Sequence, residues 1–199
     1  CRMDEPSTLV CWIGHTDLWA MAKERRELVE EVRRQTKQDE SRRDPGLGPV
    51  KTLTSQRTFD RVNLISNYSE TVNEAFSRWL AAPVTVHFKA LEDPTDYESV
   101  FRITNEVLER VSIENRGEGR RLAIHLSPGT PTMAAILILL GKTRFFPAKL
   151  YQTHGGTVFE AKIPFELDLF VSKLLEDPDN LIHNLSFEQP SEVRGFESI

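Results

Sequence analysis

Residues 121–140 read RLAIHL, then SPGTP, then TMAAILILL. The first six residues form an apolar run typical of a buried strand, and the last nine predict a helix that is buried on most of its surface. Between them, Gly129 lets the backbone turn sharply and approach a ligand, while Pro128 and Pro131 fix the backbone angles. A strand that runs straight into a buried helix predicts a βα unit.

Comparable units surround this one. A strand is predicted at residues 9–13, ended by Gly14, and another at 62–65, followed by a helix at 69–82 with Ser69 as its N-cap. The other predicted elements are an edge or half-buried strand at 84–91 with Val84, Val86 and Phe88 on its apolar face, a helix at 97–114 capped by residues 93–96, a loop at 115–120, strands at 148–153 and 157–164, and a short helix at 169–175. This alternation predicts an α/β fold, a Rossmann-like three-layer sandwich with a mostly parallel central sheet.

A charged stretch interrupts the pattern. Between Lys23 and Asp44, 15 of 22 residues are charged, 8 positive and 7 negative, so the stretch is nearly neutral. Leu18, Ala22, Val29 and Val32 can share one helical face. We therefore expect a charged, solvated helical insertion over about residues 20–45, followed by a loop at 44–49.

The composition and charge of the chain exclude several classes of function. The chain has 199 residues, a net charge of −5 and 39% hydrophobic residues, as in an ordinary soluble domain. A pI near 5.6 argues against a global footprint for duplex DNA but leaves room for a local pocket for a small anion. There is no apolar run of membrane-spanning length and no secretory signal, so a cytoplasmic protein without a membrane partner is expected.

Metal and cofactor signatures are also missing from the sequence. The five histidines show neither the HExxH motif nor paired i, i+4 spacing, and there is no GxGxxG motif. The tripeptide GKT at 141–143 lacks the earlier glycine of a phosphate-binding P-loop. We expect no metal and no cofactor.

Three small polar turns are predicted to meet at one edge of the sheet, because parallel strands end there together. They are GHTD at 14–17, SNY at 66–68 and SPGT at 127–130. Converging hydroxyls, an imidazole and helix N-termini suit a phosphate-bearing ligand such as a nucleotide. Each turn has a simpler interpretation: Thr16 or Asp17 as a helix cap, residues 66–68 as a turn with a core tyrosine, and residues 127–130 as a cap.

A family resemblance joins these motifs. HLSPGTPTM at 125–133, LLGKTRF at 139–145 and PAKL at 147–150 resemble the core of a CARF domain, the CRISPR-associated Rossmann-like sensor family. WIGHTDL at 12–18, FDRV at 59–62 and ISNY at 65–68 are similar to the amino-terminal sensor of sigma-54-dependent activators of the RNA-repair regulator type. The resemblance runs from about residue 9 to 175 and departs at 23–44, where a shorter connection is expected.

The resemblance implies a sensor domain at 1–175 and, at 176–199, a linker toward an AAA+ ATPase module that this chain does not include. It implies a homodimer that binds a cyclic oligoadenylate or an RNA-derived nucleotide and controls that module. The full protein would contact sigma-54 RNA polymerase and DNA through other domains. The contacts carried over are Gly14, His15, Thr16, Ser66, Asn67, Ser127, Gly129, Thr130 and Lys142.

Three other interpretations of these residues remain open. Lys142 and Arg144 can simply neutralise helix-end carbonyls. Some CARF domains are ring nucleases that cleave their own ligand, and here Thr16, Ser127 and Lys142 could position and stabilise the reacting phosphate while His15 acts as acid or base. A purely structural dimerisation domain is a third, weaker alternative.

Overall fold

A six-stranded sheet runs through the centre of the fold. The structure is a computed structural model that describes residues 6–38 and 44–163. These belong to one structural unit, Cys1–Ile163. The predicted helix at 169–175 and the predicted linker at 176–199 lie outside the described residues. The strands are β1 (Ser7–Trp12), β2 (Arg61–Ser66), β3 (Val84–Phe88), β4 (Arg121–His125), β5 (Lys149–His154) and β6 (Thr157–Glu160).

The strand order is β3-β2-β1-β4-β5-β6. Strands β1 to β5 pair in parallel and β6 pairs antiparallel with β5, which confirms the mostly parallel sheet. The central strand is β1, where Thr8 lies between Arg61 of β2 and Leu122 of β4. The order reverses between β1 and β4, the position where ligands bind in open α/β sheets.

Helices cover both faces of the sheet. They are α1 (His15–Glu24), α2 (Val29–Thr36), α3 (Pro49–Gln56), α4 (Glu70–Leu80), α5 (Tyr97–Glu118) and α6 (Pro131–Lys142). Alternate residues of β1 point to opposite faces of the sheet and belong to two hydrophobic cores. Leu9 and Cys11 pack with α1 to α4, and Val10 and Trp12 pack with α5 and α6. The three-layer prediction is therefore confirmed. Among the described helices, none combines the length and apolarity that crossing a membrane requires.

The prediction of one long charged helix is wrong in its details. The chain forms α1, a 3-10 turn at Arg26–Leu28 and then α2, with Arg25 outside helical geometry between them. Leu18 of α1 and Val32 of α2 are both buried in the same core. The chain bends at Arg25, and apolar residues on both sides of the bend reach that core.

Helix α3 was missed in the sequence, where residues 44–49 suggested a loop without a helix after it. Gly48 has a φ of 73° and acts as the N-cap, and Pro49 is the first helical residue. Proline is favoured at this position because its missing N–H would have no helical partner. Val50 and Leu53 then bury α3 in the same core as α1.

Strands β3 and β6 end earlier than predicted, at Phe88 and Glu160 rather than at residues 91 and 164, and other details also differ from prediction. Residues 115–118 continue helix α5, which ends at Gly119 with φ 65°, because Asn115 is buried and accepts a hydrogen bond of 2.7 Å from Thr8. Strand β3 is an edge strand as predicted, but Phe88 is 61% exposed. His87 is buried instead, with Nε2 2.8 Å from Asn63 Oδ1 on β2.

Two leucines of α6 provide a matched test of this packing. Leu137 is fully buried and Leu139 is 45% exposed. We expect Leu137→Ala to lower the free energy of unfolding by about 2–5 kcal/mol because it leaves a cavity between α6 and the sheet. Leu139→Ala should stay within about 0.5 kcal/mol of wild type. Urea denaturation measures both, and equal losses would contradict the assigned orientation of α6.

Candidate ligand-binding site

The turns after β1 and β4 meet at the carboxyl edge of the sheet and enclose a cavity of about 410 Å³, here called the turn cavity. This volume lies in the range of small-molecule sites, about 300–1,000 Å³. The loop between β2 and α4, the loop between β3 and α5, the end of α2 and the start of α3 complete its wall. Of the predicted contacts, the structure brings together Gly14, His15, Thr16, Asn67, Ser127, Gly129 and Thr130.

The two central turns touch backbone to backbone. A Cβ atom on Gly14 would lie 2.7 Å from the backbone N of Gly129 and 3.4 Å from Cα of Pro128. Gly129 has a φ of +91°, which L side chains rarely adopt. Both glycines are therefore required by the geometry, one for space and the other for backbone angle.

Asp17 holds the first turn in place. Its side chain is fully buried; Oδ2 accepts a hydrogen bond from the Gly14 N–H at 3.1 Å, and Oδ1 accepts one from the Val50 N–H at 2.8 Å. Gly14 is the N-cap of α1, so the interpretation of Thr16 or Asp17 as the N-cap is wrong. Burial raises the pKa of Asp17 to about 7, although the hydrogen bonds from Val50 and Gly14 act in the opposite direction.

Three helices begin at this cavity. Their first residues, or the residues that cap them, line it: Gly14 and His15 for α1, Pro49 for α3 and Thr130 for α6. Helix N-termini carry partial positive charge and so favour an anion, although the N–H groups of Gly14, Val50 and Met133 already donate hydrogen bonds within the protein. Lys37, which ends α2 with a φ of 54°, adds a full positive charge to the wall, and Glu92 adds a negative one.

The hydroxyls of the third turn are engaged within the protein. Ser127 Oγ accepts a hydrogen bond from the Thr153 N–H at 2.7 Å and donates to the Thr153 carbonyl at 3.3 Å. Thr130 Oγ1 caps α6 by accepting from the Met133 N–H and donates to the Pro94 carbonyl at 2.7 Å. These bonds fix the turn against β5 and against the loop before α5, so the structure uses both side chains as supports.

The second turn contributes unequally. Asn67 lines the cavity and donates to the Leu91 carbonyl at 3.4 Å. Ser66 is fully buried and does not line the cavity, since its hydroxyl donates to Asn73 Oδ1 at 2.6 Å and accepts from the Tyr68 N–H. The Tyr68 ring does line the cavity and lies 6.3 Å from the His15 ring, between centroids.

Burial is the main cause of the pKa shifts of His15 and Tyr68 at the cavity wall. Partial burial lowers the pKa of His15, and a hydrogen bond to Gln38 opposes this effect. Burial, and the nearby charge of Asp17, raise the pKa of Tyr68 well above its usual value. At neutral pH His15 is therefore mostly uncharged and Tyr68 keeps its proton. Within residues 6–38 and 44–163, no group of three His, Cys, Asp or Glu side chains could hold a metal ion.

Lys142 lies away from the turn cavity. It is the last residue of α6, whereas the cavity is at the start of that 12-residue helix. At about 1.5 Å rise per residue, the two ends are roughly 16 Å apart. The sequence analysis also missed Lys37 as a cavity residue. Nothing in the charged stretch indicates that α2 ends beside the turn at residues 14–17.

Comparison with known protein families identifies the family of this chain. The family model described as regulator of RNA terminal phosphate cyclase, RtcR, matches residues 52–170, more than half of the 199-residue chain. The chain belongs to the RtcR family. The match includes Asn67 and the turn at 127–130, and it leaves the first turn and the charged stretch outside. No curated protein matches the chain.

Two solved structures are similar to this RtcR-family chain, and the first of them supports its fold. Csm6 from Enterococcus italicus, bound to cyclic hexa-2'-fluoro-hexa-dAMP, is 13% identical, with a TM-score of 0.57 over 91% of this chain and 48% of its own. Can2 from Sulfobacillus thermosulfidooxidans, in complex with cyclic tetra-adenylate, is 16% identical, with a TM-score of 0.43 over 80% and 38% of the two chains. The chain thus spans about half of the Csm6 chain. The Rossmann-like fold is confirmed by Csm6, and the resemblance to the RNA-repair regulator family is confirmed by the family model.

The contact between Gly14 and Gly129 gives a direct test of the site. We expect Gly14→Ala to lower the free energy of unfolding by about 1–3 kcal/mol, because the new methyl group pushes the two turns apart. Gly117→Ala is the matched control, since a Cβ there meets nothing within 4 Å. That substitution in α5 should be neutral or stabilising by about 0.5–1 kcal/mol. Thermal and urea unfolding compare the variants, and a neutral Gly14→Ala would refute the close approach.

Burial of Asp17 makes stability depend on pH. The pKa is about 7 in the folded protein against 3.8 for the ordinary side chain, so folding favours the protonated form. That stabilisation is complete below pH 3.8 and is lost as the pH rises to about 7. Relative to Asp17→Asn, which cannot ionise, the wild type should lose up to about 1.4 kcal/mol per pH unit in this window. Urea denaturation from pH 5 to pH 8 measures the difference, and parallel curves would contradict the burial of an ionisable Asp17.

Proposed function

We propose that this chain is a ligand-sensing domain that binds a cyclic oligoadenylate or an RNA-derived nucleotide in the turn cavity. The observation that carries the proposal is the convergence of three helix N-termini on one cavity at the reversal of strand order. The partial positive charges of the helix ends meet there with Lys37, so the cavity suits phosphate oxygens.

The rest of the wall suits a nucleobase. Tyr68, Leu91, Pro94 and Met133 present aromatic and apolar surface, and Asn67 offers an amide. Small-molecule sites combine such apolar walls with a few placed polar groups. Two comparisons point the same way: the family name refers to an enzyme that acts on RNA terminal phosphates, and Csm6, which has a similar fold, was solved with a cyclic oligonucleotide.

The regulatory setting is part of the proposal. An RtcR-family sensor would act as a homodimer in the cytoplasm and control the ATPase module of a sigma-54-dependent activator. The polymerase and DNA contacts would belong to domains outside this chain. Ligand binding controls such a module only if the ligand binds one state of the dimer more tightly than the other.

Sensing is favoured over ring-nuclease activity by the placement of the side chains. Cleavage needs groups that are available to orient and stabilise the reacting phosphate. Ser127 is engaged with Thr153, and Lys142 lies at the far end of α6. His15 and Thr16 remain at the cavity, so an enzyme here would depend on those two.

Calorimetry with ligand recovery tests the proposal. The chain is titrated with cyclic tri-, tetra- and hexa-adenylate and with short RNAs that end in a 2′,3′-cyclic phosphate. We expect one ligand to bind and to be recovered intact by mass spectrometry. Lys37→Gln should weaken its binding about tenfold, because a charged hydrogen bond to phosphate is lost. His15→Ala should weaken it as well, because the ring borders the cavity.

Matched controls carry the same substitutions away from the cavity. Arg57→Gln removes an exposed cation and His154→Ala an exposed imidazole, and neither residue lines the turn cavity. Both should bind like wild type. A ligand recovered in cleaved form would transfer the assignment to ring nuclease. Binding that is equally weakened by the controls, or absent for every ligand, would refute the proposed site.

A further inference from the structure

We propose a second anion site, which binds the phosphate backbone of single-stranded nucleic acid, in a groove where α5 and α6 end. This basic groove has a volume of about 1160 Å³. Its wall is formed by the second half of α5, the residues between α6 and β5, the first residues of β4 and β5, and residues 160–163. It shares no lining residue with the turn cavity.

Positive charge is concentrated in this groove. Seven lysine and arginine side chains line it against two carboxylates, Glu109 and Glu160, although the whole chain carries a net charge of −5. Arg144 pairs with Glu109 and also donates to Asn105 at 3.0 Å, and Arg120 pairs with Glu118, so the excess of positive charge rests mainly on the lysines. Within the described ranges, no carboxylate pairs with Lys142, Lys149 or Lys162. A local excess of cations of this kind attracts a polyanion.

Neutralisation of a helix end explains the position of only one of these lysines. A cation at a helix C-terminus neutralises the last carbonyl groups, and Lys142 is placed to do so. Lys149 begins β5 and Lys162 follows β6, so neither belongs to a helix end. Their charges face the same groove without that structural reason.

An aromatic side chain favours nucleic acid over an acidic peptide. Phe146 lines the groove and is 50% exposed, and Lys142 Nζ lies 5.7 Å from its ring centroid. Ile113, which is also exposed, extends the apolar surface. Single-stranded nucleic acids are held by cations that follow the backbone and by aromatic rings on which bases stack. An acidic peptide would need the cations but not the exposed ring.

Fluorescence anisotropy tests this assignment with a labelled oligouridylate of about 12 nucleotides, a length that can span one such groove. The double variant Lys149→Glu/Lys162→Glu should weaken binding about tenfold or more at low salt and reduce the slope of log K against log salt by about 2. Phe146→Leu keeps an apolar side chain but removes the ring, so it should weaken binding about fivefold without changing that slope.

The controls separate this site from the turn cavity. Arg26→Glu/Arg57→Glu makes the same change in net charge at exposed residues outside the groove and should leave binding within about twofold of wild type. Lys37→Gln should weaken the cyclic ligand and not oligouridylate, so either proposal can fail alone. The basic groove is refuted as a nucleic-acid site if the control pair weakens binding equally, if Phe146→Leu has no effect, or if polyglutamate of equal charge displaces the RNA as well as unlabelled RNA does.

Discussion

The approach of two backbones, at Gly14 and Gly129, is the constraint on which the site depends. Where strand order reverses, the turns after β1 and β4 diverge to opposite faces of the sheet, and any side chain at their contact would separate them. Since a Cβ on Gly14 would meet the backbone of Gly129 at 2.7 Å, glycine allows the turns to touch. This contact sets the floor of the turn cavity and the direction in which α1 and α6 leave the sheet.

Fixed dipoles rather than many charges make the turn cavity attractive to an anion. The ends of α1, α3 and α6 supply partial charges that need no ordering on binding. Asp17 joins two of these ends by accepting one hydrogen bond from each. Because burial raises its pKa to about 7, this carboxyl carries less negative charge at neutral pH than an ordinary carboxylate and repels an anion less. The basic groove differs, because full charges on lysine and arginine side chains line it.

Local sequence patterns predicted most strands and helices. Features that depend on contacts between residues far apart in sequence could not be predicted in this way. The alternation of strands and helices gave the parallel sheet, and the SPGT turn gave the position of the site. The burial of Asn115 against Thr8, which extends α5, and the bend at Arg25, which returns α2 to the core, depend on residues far apart in sequence. The hydroxyls of Ser127 and Thr130 suggested ligand contacts, but their partners Thr153 and Pro94 could not be read from spacing.

The central position of β1 has a consequence for the order in which the protein can be completed during synthesis. Thr8 pairs with Arg61 on one side and with Leu122 on the other, so the first strand made is among the last to gain both neighbours. Until β4 leaves the ribosome, one edge of this strand, whose last four residues are apolar, has no partner, and exposed edges of this kind invite pairing with other chains. A nascent chain that stalls after β3 therefore exposes the most hydrophobic part of the sheet.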